Sequence, residues 1–153
     1  MLDTINIEIL NLLQQNARMS ASEIASEVKL SVPAVAERIR KLIDLGYIKD
    51  FVAILNAKNM GYDVTAFIVV DCTSSDLYDN VVQKSARNKS ILECHSITGE
   101  GSHLLKIRAK NSDCLEKVLG QIQSWSGVLR THTMFVLSTY KETTNIDLDN
   151  LVK

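Results

Sequence analysis

Two closely spaced helix-start signals, at Ser20 and Ser31, constrain this chain more than any other feature. Ser20 and Glu23 have the spacing of a capping box, in which the hydroxyl and the carboxylate each bond a backbone N–H that the helix leaves free. Ser31 offers a second N-cap, and Pro33 suits the first turn of the next helix because its missing N–H would be unpaired there anyway. The signals predict a helix that ends at Val28, a turn of about three residues, and a second helix.

The second helix of this pair is predicted to end near Leu45, where Gly46 supplies its C-cap. An earlier helix is predicted from about Thr4 to Gln15, with Asp3 at its N-cap. Its apolar face comprises Leu2, Ile5, Ile9, Leu12 and Leu13. Ile7 and Leu10 lie off that face, and a helix that is apolar on more than one side needs a second burial partner. We therefore expect this helix to contact another subunit.

A tight turn between two helices, with a third helix before them, is the helix-turn-helix arrangement, whose second helix can lie in the major groove of DNA. On that helix the apolar stripe comprises Val35, Ile39, Leu42 and Ile43. Away from the stripe, we expect Arg38, Arg40 and Lys41 to contact phosphates. The residues expected near base edges are Ser31, Pro33, Ala34 and Glu37. The alternative is an ordinary three-helix bundle with a solvated charged face, which Glu37 and Asp44 fit well.

The charge of the chain does not decide between these two interpretations. The first 50 residues carry six Lys and Arg against seven Asp and Glu, and the whole chain has a net charge of −1. A strongly basic domain is the usual electrostatic footprint of nucleic-acid binding. Because that footprint is absent, the expectation of DNA binding depends on the helix pattern.

Beyond residue 47 the apolar pattern changes from helical to strand-like. Residues 48–56 are predicted to form a strand, which the turn at 59–61 ends. Further strands are predicted at 64–72, 91–98, 103–109 and 128–137, with helices at 77–87 and 114–124. The order β-α-β-β-α-β is that of a ferredoxin-like domain, so the predicted fold class is α+β.

These elements divide the chain into four predicted segments. They are a helix-turn-helix domain at 1–47, a hinge strand and linker at 48–62, a ferredoxin-like effector-binding and oligomerisation domain at 63–140, and a polar, loosely held tail at 141–153. The chain has no apolar run near the roughly 20 residues that span a bilayer, and its start lacks the pattern of a signal peptide. We expect a cytoplasmic protein without a membrane partner.

The cysteines and histidines do not have the spacing of a metal or catalytic site. They are Cys72, Cys94, Cys114, His95, His103 and His132. The thiols are odd in number and widely spaced, so we expect them to be reduced and mostly buried. We expect no metal, no cofactor and no enzyme activity, because neither a zinc pattern nor an activated thiol beside a base is recognisable. The single tryptophan, Trp125, is expected to anchor the core or an interface.

Many short segments along the chain, in order, resemble the Lrp/AsnC, or feast/famine, regulators. In the first part they are Leu2-Asp3, Ile9-Leu10, Gln14 to Arg18, Glu23-Ile24-Ala25, Leu30-Ser31, Ala34-Val35, Arg38-Ile39 to Leu42 and Gly46-Tyr47-Ile48. In the second part they are Leu92-Glu93-Cys94-His95, Thr98-Gly99, Leu104-Leu105-Lys106, Gly127-Val128-Leu129-Arg130-Thr131, Thr133 and Val136-Leu137-Ser138.

The resemblance implies a bacterial or archaeal regulator that binds double-stranded DNA and dimerises through its C-terminal sheet. It further implies assembly of dimers into octamers, with an amino acid or related metabolite bound near the interfaces between dimers. A dimer is also expected because a single recognition helix reads few bases. Two residues depart from the family pattern: Asn6 replaces the usual aspartate of the first helix, and Ser102 replaces the acid of a Gly-x-x-Asp loop.

The candidate effector site is a glycine-containing loop between two predicted strands, formed by Thr98, Gly99, Glu100, Gly101 and Ser102. Glycines let backbone N–H groups approach a small carboxylate closely. We expect Glu100 to meet an ammonium group. Additional hydroxyl donors are expected from Thr98, Ser102, Thr131 or Thr133. The alternative is a plain hairpin turn.

A function of another class stays open: a metabolite-binding or assembly protein that acts through protein partners without specific DNA binding. The slightly acidic charge favours this alternative, whereas the capped helix-turn-helix favours a transcription regulator. A mobility-shift assay over a salt series separates the two, because phosphate contacts make affinity fall steeply as salt rises.

Overall fold

The computed structural model describes residues 2–148 and 150–151. The chain divides into two compact units, one of residues up to 54 together with those from 141 onward, and one of residues 55–140. Within the described ranges, no helix is both long enough and apolar enough to cross a bilayer.

The first unit contains the three predicted helices, α1 Thr4–Gln15, α2 Ala21–Val28 and α3 Val32–Asp44. The Ser20 capping box is present, with Glu23 N donating to Ser20 Oγ at 3.2 Å and Ser20 N donating to Glu23 Oε2 at 2.6 Å. The predicted end of α3 is corrected by one residue. Leu45 is its C-cap, and Gly46 follows in the left-handed region with a φ of 77°.

The core of the first unit takes residues from all three helices: Ile9, Leu10, Leu13, Ile24, Ala25, Val28, Val35 and Leu42. Leu10 is therefore a core residue, and Ile7 is only 6% exposed. The expectation that these two residues need another subunit is wrong, because the chain itself covers both.

The predicted strand at 48–56 is also wrong. This segment has no strand, and a short 3₁₀ turn at Lys58–Met60 follows it. A strand requires the hydrogen bonds of a neighbouring strand, and no described residue of this chain supplies them. Of the apolar side chains that suggested the strand, Ile48 packs against the core of the first unit, and the others lie exposed, with Val52 68% and Ile54 79% accessible.

The tail that follows residue 140 is better fixed than predicted. Gln14 of α1 makes two hydrogen bonds with the backbone of Ile146, one from Ile146 N at 2.7 Å and one to Ile146 O at 3.1 Å. Leu148 packs against the core of the first unit. The expectation of a loosely held tail therefore fails for these residues, because the Gln14 amide bonds the backbone of Ile146 and Leu148 packs on the core.

The second unit has the predicted β-α-β-β-α-β order. Its elements are β1 Val64–Cys72, α4 Tyr78–Arg87, β2 Ile91–Ser96, β3 His103–Ala109, α5 Ser112–Gln123 and β4 Val128–Phe135. The strands form one antiparallel sheet in the order β2-β3-β1-β4. β2 and β4 end earlier than predicted, and α5 begins earlier because Asn111 Oδ1 caps it by accepting from Cys114 N at 2.9 Å.

One face of this sheet carries the core of the second unit. Alternate residues of β1 from Val64 to Val70 are buried in one cluster with Val81 of α4 and with Leu115 and Ile122 of α5. The two helices therefore cover the face toward which Val70 points. Trp125 belongs to this core at 8% exposure, whereas the three cysteines are half-buried rather than mostly buried.

Candidate functional site

The turn before α3 consists of residues 29–31, as the helix-start signals predicted. Lys29 takes a left-handed conformation with a φ of 54°, and Leu30 N bonds to Ala25 O at 3.1 Å. Ser31 Oγ then accepts from Ala34 N at 3.4 Å, which starts α3 immediately after the turn. A short, hydrogen-bonded turn of this kind fixes the direction of α3 relative to α2.

The face of α3 that was predicted to meet DNA is largely accessible. Val35 and Leu42 are buried on the opposite side, at 0% and 2% exposure. The predicted stripe is only partly correct, because Ile39 is half-buried and Ile43 is 45% exposed. Among the predicted contacts, Ser31, Pro33, Arg40 and Lys41 are exposed, and Ala34, Glu37 and Arg38 are half-buried.

Two of the predicted phosphate-binding cations share one carboxylate. Arg40 Nη2 lies 2.8 Å from Glu37 Oε1, and Lys41 Nζ lies 3.6 Å from the same oxygen. The hydrogen bond from Arg40 lowers the pKa of Glu37 below its ordinary value, and the nearby charges of Arg40 and Lys41 add to this. Exposed pairs of this kind contribute little stability, so both cations can turn toward a phosphate at small cost.

Arg38 is held differently, because it connects α3 to the start of α1. Its Nη1 donates to Asp3 Oδ2 at 2.7 Å and to Asn6 Oδ1 at 2.8 Å, and its side chain is 31% exposed. The hydrogen bond from Arg38 lowers the pKa of Asp3, with a further contribution from the N–H of Asn6. The sequence pattern predicted only a phosphate contact for Arg38. It did not predict the hydrogen bonds of Arg38 to Asp3 and Asn6.

In the predicted effector loop, Gly101 has a packing reason to be glycine. It adopts a φ of 89°, and a Cβ added there would overlap Val69 Cγ1. Gly99 adopts a φ of 96° but has open space around it. Thr98 and Glu100 are exposed. The accessible part of the loop is therefore Thr98 to Glu100.

Ser102, also predicted to meet the effector, turns inward and is 7% exposed. Its hydroxyl donates to Val70 O at 2.9 Å and lies 2.9 Å from His103 Nδ1 and 3.2 Å from Cys72 Sγ. A hydroxyl has one proton to donate and can also accept, so Ser102 joins Val70, Cys72 and His103 in one hydrogen-bonded group. Ser102 is thus part of a buried polar cluster.

His103 completes that cluster and is fully buried. Burial lowers the pKa of its imidazole, and its Nε2 has no hydrogen-bond partner within the described residues. The ring of Tyr78 packs against it edge-on, with the ring centroids 4.9 Å apart. This environment favours a neutral imidazole.

The remaining predicted effector residues, Thr131 and Thr133, lie on β4 at the edge of the sheet. They pair with Val70 and Ile68, so they face the helix side of the sheet. Thr131 Oγ1 accepts from Gln123 Nε2 at 2.9 Å. Sequence reasoning missed Gln123, whose only signal was a polar residue near the end of a predicted helix.

The loop and the two threonines belong to one end of the sheet but are not in direct contact. Val70 pairs with His103 on one side and with Thr131 on the other, so β1 separates them. Two strand spacings amount to roughly 10 Å. An effector that used both groups would have to span that distance or draw on a second copy of the chain.

The histidines and cysteines are also possible ligands for a metal ion. No group of three or more His, Cys, Asp or Glu side chains that could hold an ion occurs among residues 2–148 and 150–151. His95 instead lies 3.3 Å from Glu93, which also accepts from Lys106 at 3.1 Å.

Comparison with known families matches both units. The model of the Lrp/AsnC ligand binding domain matches residues 65–146, and a winged helix-turn-helix DNA-binding model matches residues 2–49. The HTH-type transcriptional regulator FL11 of Pyrococcus horikoshii is 39% identical over 147 residues, which cover 96% of this chain and 97% of the relative.

Solved structures with the same fold include two complexes with L-methionine. A transcriptional regulator from Neisseria meningitidis in complex with L-Met has a TM-score of 0.94 and 28% identity, and the match covers 99% of this chain and 100% of that one. A feast or famine regulatory protein from M. tuberculosis complexed with L-methionine has a TM-score of 0.89 and 27% identity, with coverage of 95% and 99%.

Proposed function

This chain belongs to the Lrp/AsnC family of transcription regulators, and on that premise we propose which of its residues meet DNA and which meet its effector. It is a metabolite-responsive DNA-binding regulator and not an enzyme, with the helix-turn-helix in its first unit and the ligand-binding domain in its second. The observation that carries the DNA assignment is the accessible face of α3, which begins with small residues and continues to Arg40 and Lys41.

On this face, Arg40 and Lys41 contact phosphates after releasing Glu37. The bases lie near the N-terminal part of α3, at Ser31, Pro33, Ala34 and Glu37. Arg38 mainly sets the angle of α3 through Asp3 and Asn6, and it reaches a phosphate only at the edge of the interface. Its two short hydrogen bonds and its limited exposure support this division of roles.

A mobility-shift assay over a salt series tests the phosphate contacts. The double variant Arg40→Ala/Lys41→Ala should bind every duplex more weakly and should flatten the salt slope by about two units, at roughly 0.9 per contact. The control Lys58→Ala/Lys110→Ala removes the same charge from the second unit and should leave the slope unchanged. If the wild-type chain shows no salt-dependent duplex binding, the result favours the alternative function, a metabolite-binding protein without specific DNA binding.

The regulator acts as a homodimer that assembles further into octamers. Apolar side chains that the chain leaves exposed in the 48–55 segment support an interface there, because a partner strand would supply the hydrogen bonds that this segment lacks. Exposed Leu129 and Phe135 on edge strand β4 support a second contact. Light scattering tests the assembly, and operator half-sites should lie about 10 base pairs, or a multiple of that, apart.

The effector is an amino acid, held near the β2–β3 loop. Thr98, Gly99 and Glu100 are accessible there, and Gly101 contributes its backbone groups. The Ser102 hydroxyl instead bonds Val70 O in the buried polar cluster. Thr131 and Thr133, with Gln123, supply polar groups from β4 and α5 of the same unit or of a second copy. The L-methionine complexes of two relatives support an amino acid as the ligand class.

A thermal-melt screen of the common amino acids tests the effector assignment. A ligand at 100 times its dissociation constant should add about 2.7 kcal/mol of stability. If no amino acid or keto acid shifts the melting temperature or the assembly state, the loop is structural.

A regulator of chromosomal genes in a bacterium or archaeon works in the cytoplasm, which is where we place this protein.

A further inference from the structure

We propose that a cavity between the C-terminal ends of α4 and α5 binds a phosphate group. The cavity has a volume of about 470 Å³ and three cations on its wall, Lys84, Arg87 and Lys89. It is open to solvent rather than enclosed, so a phosphate bound here would contact both the cations and water. It is distinct from the loop and the threonines that we assign to the amino-acid effector.

The charge of the cavity is uncompensated by the protein. No carboxylate lines it, and none of its three cations has an ion-pair partner among the residues that the structure describes. Like charges on one small wall repel each other, and a bound oxyanion converts that repulsion into attraction. Charge-assisted hydrogen bonds from Lys and Arg to phosphate are among the strongest that proteins make.

A simpler role for Lys84 and Arg87 is to complement the negative C-terminal end of α4. That role does not account for Lys89, which lies beyond the helix. One carbonyl near the end of each helix also has a donor already, since Ser85 O accepts from Asn88 N at 3.1 Å and Gln121 O accepts from Ser124 Oγ at 2.7 Å. Lys89 therefore exceeds what the end of α4 requires.

The neutral groups of the cavity are arranged before any ligand arrives. Asn88 Nδ2 donates to Gln121 Oε1 at 3.1 Å and so joins α4 to α5. This bond leaves the Gln121 Nε2 group, for which the described residues provide no acceptor, as a neutral donor beside the cations. Trp125, buried in the core, contributes to the wall and keeps its backbone fixed by a bond from its N–H to Ile122 O at 3.1 Å.

The phosphate can belong to a free phosphorylated metabolite or to the backbone of bound DNA. Inorganic pyrophosphate is a probe for both, and Trp125, the only tryptophan of the chain, reports on the cavity through its fluorescence. We would titrate pyrophosphate into the full chain at low ionic strength and follow both the fluorescence and the melting temperature. The same titration would be made on Lys84→Gln/Arg87→Gln and on the charge-matched control Lys58→Gln/Lys110→Gln.

The wild type and the control should bind pyrophosphate saturably, and the cavity variant should bind at least about tenfold more weakly. Equal affinity in the two variants, or no response of the wild type in either signal, overturns the proposal. The control is matched because its two lysines are exposed and do not line the cavity.

A second arm, which rests on the proposed DNA binding, separates the two sources of phosphate. If the cavity holds the DNA backbone, its variant should flatten the salt slope of duplex binding by about two units and pyrophosphate should compete with DNA. An unchanged slope together with lost pyrophosphate binding assigns the cavity to a free ligand. If the wild type binds no duplex, the proposed DNA function fails. The pyrophosphate titration still tests whether the cavity binds a phosphate group.

Discussion

Asp3 and Arg38 form an ion pair of 2.7 Å between Asp3 Oδ2 and Arg38 Nη1, which ties the start of α1 to the middle of α3. The other oxygen of the same carboxylate, Asp3 Oδ1, caps α1 by accepting from Asn6 N at 2.7 Å. One side chain therefore both begins the first helix and orients α3, the helix that we propose to meet DNA. Asp3 therefore contributes to stability in two ways, through the N-cap and through the ion pair, and mutation can measure the two contributions separately.

Replacing Asp3 with alanine removes both the cap and the ion pair. We expect a loss of about 1–2 kcal/mol in the free energy of unfolding, of which about 1 comes from the cap and less than 1 from the solvent-exposed pair. Asp3→Asn keeps the cap, because asparagine is an equally good N-cap, and should cost less than about 1 kcal/mol. Urea denaturation of the two variants measures both values. Equal losses would show that the cap contributes nothing.

His103 should make the stability of the protein depend on pH. Burial lowers the pKa of its imidazole below the ordinary value of 6.5, so the unfolded chain binds a proton at a higher pH than the folded chain does. The contribution is fully present above pH 6.5 and is lost as the pH falls from there through the lowered folded pKa. Melting temperatures at pH 7.5 and 5.0 should therefore differ more for the wild type than for His103→Gln. An identical difference would mean that folding does not change the pKa of His103.

Gly101 and Gly99 form a matched pair in one loop. Both have a positive φ, but only at Gly101 would a Cβ overlap a neighbouring side chain, that of Val69. Gly99→Ala should therefore lose about 1 kcal/mol of stability from backbone strain alone. Gly101→Ala should lose about 1–3 kcal/mol more, because the overlap forces β1 or the loop to shift. Chemical denaturation of the two single variants checks the order, and a reversed order would contradict the packing explanation.

Ile54 should contribute to association between chains rather than to the fold of one chain. It is 79% exposed, so Ile54→Ser should leave the folded monomer nearly as stable as before. If the 48–55 segment lies in the proposed dimer interface, the variant should shift the dimer toward monomer at low protein concentration in light scattering. Lys49→Ser, in the same exposed segment, is the control. If Ile54→Ser dimerises as strongly as the wild type, the interface lies elsewhere, and an equal shift in the control would show that the apolar side chain of Ile54 is not what stabilises the dimer.

The local features of this protein were readable from the sequence. The capping box of Ser20 and Glu23 and the restart at Ser31 and Pro33 involve residues only a few positions apart, so their hydrogen bonds follow from spacing alone. The three helix bounds and the βαββαβ order were accordingly predicted to within a few residues. The sequence also predicted β1 as a strand at 64–72, whereas the structure shows which of its alternate residues are buried in the core.

Contacts between distant parts of the chain were decided only by the tertiary structure. The apolar residues at 48–56 show that a strand is possible but not whether a partner lies beside it, and none does among the described residues. The phosphate role predicted for Arg38 did not include its bonds to Asp3 and Asn6, and the hydroxyl of Ser102 was assigned to a ligand although it serves Val70 and His103. In the last two cases a polar side chain bonds groups that are near it in space, and sequence order does not determine those groups.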